Sequence, residues 1–210
     1  MAIRKRTGSV LVLGAATAAI IGMAAAPAIG ATATTWTVKP GGAITAKAGV
    51  TTLKDTKTGS VLTCKTSSGK GTVKKGSGLA GAGLGSITAL SFSTCTGPLN
   101  LTFTVKTTGF PWKLNAVSFK SGVTTGTITG TFATLTGPSC SAKVAGTSAT
   151  KAGTTAATYT NSTGKLTTKT TGGTLHVWAV SGCAGLINTG DPTTFSGSYA
   201  ISPKQTITSP

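Results

Sequence analysis

Leu101, Phe103 and Val105 alternate with Thr102, Thr104 and Lys106, the clearest period of two in the chain. Successive side chains of a strand point to opposite faces, so 99–107 predicts an antiparallel strand with one buried and one wet face. Short runs of the same kind, punctuated by Gly, Pro, Ser and Asn, recur from Trp36 to Ile201. They predict about ten strands at 8–12-residue spacing, among them 44–50, 87–93, 112–120, 124–135, 155–160, 165–170, 174–180 and a last one over 195–201. Gly126 and Gly130 inside 124–135 predict a bulge or bend. The glycine-rich segment 76–85 reads as a mobile loop, and the tail to Pro210 as loose. No helical period follows the N-terminal stretch. The pattern predicts an all-β fold, either an antiparallel β-barrel or a two-sheet β-sandwich.

Two stretches repeat each other. Residues 85–97, GSITALSFSTCTG, and 173–185, GTLHVWAVSGCAG, share one Gly-to-Cys spacing. Each reads as a strand that delivers a cysteine to a turn. Both are apolar in both phases of the alternation: Ile87 and Ala89 against Leu90 and Phe92, and Leu175, Val177 and Ala179 against Trp178 and Val180. The expectation is a pair of strands with apolar groups on both faces, either central or facing a core on one side and a partner on the other. The other cysteines, Cys64 and Cys140, lie upstream, one per copy. Four cysteines allow three pairings. The repeat favours Cys64–Cys95 and Cys140–Cys183, giving two pseudo-repeated halves with one disulfide each. A structural metal is disfavoured, since no C-x-x-C spacing occurs and His176 is the sole histidine.

The N-terminus changes the picture of compartment. Arg4, Lys5 and Arg6 precede an apolar run from Val10 to Met23, and Ala31-Thr32-Ala33 supplies small residues for cleavage. Residues 1–33 therefore read as a secretory signal peptide, with no stable membrane span after its removal, and 34–210 as a single secreted all-β domain. Export also makes oxidised cysteines the expectation.

Charge narrows the chemistry. The chain has 19 basic residues, and removing Arg4, Lys5 and Arg6 leaves sixteen, all lysine. The only acids are Asp55 and Asp191, so 34–210 carries a formal charge of +14. Paired-carboxylate hydrolysis needs two acids brought together, and these lie in separate turn-like segments where Asp bonds its own backbone. His176 is the one candidate general base, and no G-x-S-x-G elbow accompanies it. With the four cysteines bridged, no thiol nucleophile is left. The expectation is a non-enzymatic chain with no catalytic, cofactor or metal residues, and with His176 and Trp178 as the candidate lining of any pocket. Excess lysine draws anionic polymers, and it equally serves solubility and the blocking of unwanted pairing at sheet edges. Specific nucleic-acid readers lean on arginine, which 34–210 lacks, so nucleic acid is not the expected partner.

The closing run Ser202-Pro203-Lys204-Gln205-Thr206-Ile207-Thr208-Ser209-Pro210, with the leader and the cysteine pairs, resembles small secreted Thr/Gly-rich proteins of high-GC actinobacteria that end in SPxQTITSP-like tails. The resemblance implies an exported protein and carries over no functional residue. The sequence thus predicts a secreted protein, extracellular or cell-wall associated, that meets anionic wall polymer through its lysines. The alternative is an envelope channel or small-ligand-binding β-barrel.

Overall fold

The computed structural model describes residues 34–210; the predicted signal peptide lies outside the described residues. Sixteen strands form: β1 (Thr35–Lys39), β2 (Gly42–Ala48), β3 (Thr51–Asp55), β4 (Val61–Val73), β5 (Gly76–Ala80), β6 (Gly85–Thr96), β7 (Thr102–Thr108), β8 (Trp112–Lys120), β9 (Val123–Thr136), β10 (Ser141–Ala145), β11 (Gly153–Thr160), β12 (Lys165–Thr168), β13 (His176–Ser181), β14 (Thr193–Ser196), β15 (Ser198–Ser202) and β16 (Thr206–Thr208). One turn of 3-10 helix, Pro98–Asn100, follows β6. Among the described residues no helix is long and apolar enough to cross a membrane.

The sheet is ringed rather than layered, and every pairing is antiparallel. A first ring runs β2–β4–β6–β8–β9–β11–β12–β15 and returns to β2. A second runs β14–β3–β4–β6–β7–β9–β10–β13. It closes through the bridge of His176 to Pro192 and through the Val177 N–H, which donates to the Asp191 carbonyl oxygen at 2.9 Å. The long strands β4, β6 and β9 belong to both rings, so the molecule is two barrels fused along three shared strands.

A shared strand must aim its apolar side chains at two different barrel axes. β4 does so by changing phase: Leu62 and Cys64 are buried, Lys65 and Thr66 are both exposed, and burial resumes at Ser67, Gly69, Gly71 and Val73. In β9 the change falls at Gly130, whose φ of +95° marks the predicted bend, between buried Ile128 and buried Thr131. A backbone with φ in that range suits glycine. In β6 a register shift opposite Lys70 and Gly71 lets Ile87, Leu90 and Phe92 all face inward. In β13 a shift beside Ala179, φ +48°, does the same for Val177 and Val180. The two-phase apolar pattern of the repeated stretches therefore reports mainly one inner face re-aimed by a bulge, correcting the expectation of two apolar faces except at Trp178, which faces outward beside Lys143.

The predicted disulfides are present: Cys64 pairs with Cys95 between directly opposed positions of β4 and β6, and Cys140 with Cys183 between the ends flanking β10 and β13. Each bridge stays within its own half of the sequence, and both sit in the same core cluster, with Leu62, Phe103, Leu135, Val144 and Val177 inside the second barrel. They fit a compartment outside the reducing cytoplasm.

Two expectations are overturned at the far end of the first barrel. Segment 76–85 is not a loop: β5 pairs with β1, and Leu84 is buried. The tail is not loose: β16 pairs with the other edge of β1. Gln205, 1% exposed, acts as the bolt. Its Oε1 accepts from the Gly41 N–H (2.9 Å), and its N–H and carbonyl both bond the Tyr159 hydroxyl (2.9 and 2.8 Å). The three-stranded sheet β16–β1–β5 caps the barrel with Trp36, Val38 and Ile207 against Tyr159 and Ile201. The run 195–201 keeps its alternation, but Gly197 divides it into β14 of the second barrel and β15 of the first.

Gly126 lies opposite Ala116, beside the shift between Ala116 and Ser118, and a Cβ there would collide with the Asn115 carbonyl oxygen. Gly126→Ala should therefore destabilise by about 1–3 kcal/mol through overpacking against a backbone atom that cannot swing away. A urea melt measures it; an unchanged midpoint would show the ladder has room.

Candidate functional site

The outer face of the second barrel gathers what sequence separates. Lys106 on β7 is opposite Thr134 on β9, Thr134 is opposite Lys143 on β10, and Lys143 is opposite Trp178 on β13. The flanking residues Ala133, Leu135, Ala142, Val144 and Val177 are buried, so this row points outward. Neighbouring strands lie about 4.8 Å apart, which separates the two lysine Cα atoms by roughly 10 Å. Lys143 Nζ stands 5.1 Å from the centroid of the Phe132 ring, a cation–π contact. Trp178 is half-buried, and its Nε1–H donates to the Gly146 carbonyl oxygen at 2.9 Å, which fixes the indole. The His176 ring lies 6.2 Å from it, centroid to centroid. The result is a face with two lysines, a threonine and three rings.

His176 and Trp178, expected as pocket lining, thus sit on the outer side of β13 and line none of the three cavities described below. His176 Nδ1 lies 3.0 Å from the Thr174 carbonyl oxygen, a bond in which the ring N–H donates. Asp191, next to the His176–Pro192 bridge, uses Oδ2 to accept from the Asn188 backbone N–H (2.9 Å) and from Asn188 Nδ2 (3.1 Å). Asp55 Oδ1 accepts from the backbone N–H groups of Lys57 and Thr58, at 2.8 and 3.0 Å. Both carboxylates are committed to their own turns, the structural use of Asp. Among the described residues no group of three or more His, Cys, Asp or Glu side chains is placed to hold a metal.

Compared with known proteins, the chain matches no protein family, no curated protein and no solved structure. The site therefore rests on its own geometry.

That geometry has a counterpart on the first barrel. There Lys47, Ala200 and Lys165 are opposed across β2, β15 and β12, a lysine row of similar span with no ring in it. Every lysine of 34–210 is exposed except Lys143, which is half-buried. Neighbouring lysines repel one another, and an anion threaded between them relieves that repulsion. Along the chain the lysines are scattered and the aromatics few. Antiparallel register is what brings positions 106, 132, 143 and 178 together.

The inward face carries two phenols. Burial pushes Tyr199 up to about 12, against a bond from Ser67 Oγ (2.7 Å) that pulls the other way. Burial raises Tyr159 as well, and its backbone bond to Gln205 opposes the rise. A phenol whose folded pKa lies above its unfolded value of 10.0 stabilises fully below pH 10. That stability is lost as pH climbs from 10 towards 12, because the unfolded chain ionises first. For Tyr199 the loss should reach roughly 2–3 kcal/mol. Urea melts from about pH 9 to about pH 11 should decline in the wild type and decline less in Tyr199→Phe; parallel slopes would remove Tyr199 as the cause.

Proposed function

We propose that this is a secreted, non-enzymatic β-protein of the bacterial cell surface that binds anionic wall polymer through its lysines. The observation that carries the reading is the row Lys106–Thr134–Lys143–Trp178 beside Phe132. It offers ammonium groups to phosphate or carboxylate and flat rings to the sugar or polyol between charges. The sequestration of both acids supports it, since neither carboxylate bonds a lysine head group in its turn. The polarity of the barrels favours a polymer-binding exterior over an envelope channel: outward positions are rich in Thr, Ser and Lys, the inverse of a lipid-facing barrel.

Isolated cell walls test the proposal by cosedimentation. The protein should be retained at low ionic strength and released as salt shortens the Debye length to about 3 Å at 1 M. Walls stripped of phosphate-bearing polymer should lose most of that retention. Free protein in the supernatant at low salt would reject the reading.

A further inference from the structure

Where the two barrels meet, their inner faces do not fill the space. A cavity of ≈ 100 Å³ lies there, walled by side chains of both barrels, Leu62 and Leu175 from the second and Trp112 and Leu166 from the first among them. A second void of ≈ 70 Å³ lies towards the cap. The two share the walls Ile44, Leu114, Ile128, Leu166 and Ile201. A third, of ≈ 40 Å³, sits at the opposite end of the second barrel.

Besides apolar groups, the junction cavity is lined by Tyr199, by Lys70, whose side chain is exposed, and by six threonines. Thr107 Oγ1 donates to the Leu90 carbonyl oxygen, and Thr168 Oγ1 accepts from the Gly197 N–H, so both are satisfied. Thr51 (1% exposed) and Thr131 (9%) have buried hydroxyl oxygens with no partner. A buried hydroxyl left unpaired costs about 1–3 kcal/mol. Purely apolar packing would be served better by valine at both positions. Orphaned hydroxyls buried in the wall of a largely apolar chamber fit a pocket that takes an apolar body with one polar atom.

We infer that the junction cavity binds a small neutral amphiphile, a short aliphatic body bearing one hydroxyl or carbonyl group, whose polar atom draws the Thr131 hydroxyl out of the wall. The head group is neutral because the phenols nearby are already bonded, Tyr199 to Ser67 and Tyr159 to Gln205, and a charged head would stay uncompensated. Size follows by proportion. A dry cavity of about 150 Å³ accepts benzene. On that scale the junction void takes about four non-hydrogen atoms, and both voids together, about 170 Å³, take about seven once the shared aliphatic walls part. This site is inside the barrels and does not depend on the polymer-binding face.

The test is 1-hexanol against hexanoate, on the exported protein with both disulfides intact, followed by amide NMR and thermal melting. Hexanol should shift the Thr51 and Thr131 amides saturably and raise Tm, while hexanoate should do neither. Thr131→Val keeps the shape, removes one hydroxyl and should weaken hexanol binding about tenfold. Ile128→Phe should abolish binding by filling the shared wall. Absence of saturable shifts, equal binding of hexanoate, or an unaltered affinity in Thr131→Val would each overturn the inference, the last because a merely greasy void ignores the hydroxyl.

Discussion

Replacing Cys140 and Cys183 together by alanine should lower the unfolding free energy by about 4 kcal/mol. The bridge spans 43 residues, and closing a loop of that length removes this much chain entropy from the unfolded state. Cys64–Cys95, spanning 31, is worth about 3.5 kcal/mol by the same argument. A domain of this size has a total stability of about 5–15 kcal/mol, so losing both bridges should leave the chain largely unfolded. Both bridges lie in one core cluster, so the two losses should couple rather than add. Guanidinium melts of the two double variants and the quadruple variant measure this. A loss below about 1 kcal/mol for either pair would mean that the second barrel's ladder alone holds those ends.

Truncation after Pro203 should cost on the order of 5 kcal/mol, more than any single surface change. It removes β16, which pairs with β1 at Thr37, Val38 and Lys39. It strips the Tyr159 hydroxyl and the Gly41 N–H of Gln205. It also strips Asn161, whose Nδ2 donates to the Ile207 carbonyl oxygen (2.8 Å) and whose Oδ1 accepts from the Ile207 N–H (3.0 Å). Each buried group left unpaired costs about 1–3 kcal/mol. Uncovering the Ile207 side chain adds about 1.5–3 kcal/mol. A tail that merely drapes over the surface would give no measurable loss. The milder Ile207→Ala should lose about 2–3 kcal/mol through the cavity it leaves under the cap. Differential scanning calorimetry of both variants separates the contributions of the hydrogen bonds and of packing.

The repeated stretches explain how far sequence could reach. Local alternation was enough for β7, where Phe103 is buried and Thr102, Thr104 and Lys106 are exposed. It was enough for the bend at Gly130 as well, because only glycine freely adopts that backbone. The Gly-to-Cys spacing was enough for the disulfides, since related strands place related thiols. The phase change at Lys65–Thr66 had no local signal: two exposed polar residues in a row look like a turn, and only the second barrel axis makes them a strand. The tail and 76–85 were misread for a similar reason. Gly76 and Gly78 say loop by composition and the tail carries only a short apolar signal at Ile207, whereas both strands are made by pairing with β1 across a long sequence distance. The lysine–aromatic face is a product of register between four strands, which no short pattern encodes.

The measurement that bears most directly on the proposed function compares two charge-matched variants on isolated cell walls. Lys106→Ala/Lys143→Ala and Lys47→Ala/Lys165→Ala each remove two positive charges from barrel surfaces of similar span. At about 1 kcal/mol for each lysine against an anionic surface, the first pair should weaken wall binding about 30-fold. Trp178→Ala should weaken it further, and the Lys47 and Lys165 pair should weaken it only a few-fold. Equal losses from both lysine pairs would contradict a dedicated face and leave only the diffuse attraction of a basic protein for an acidic wall.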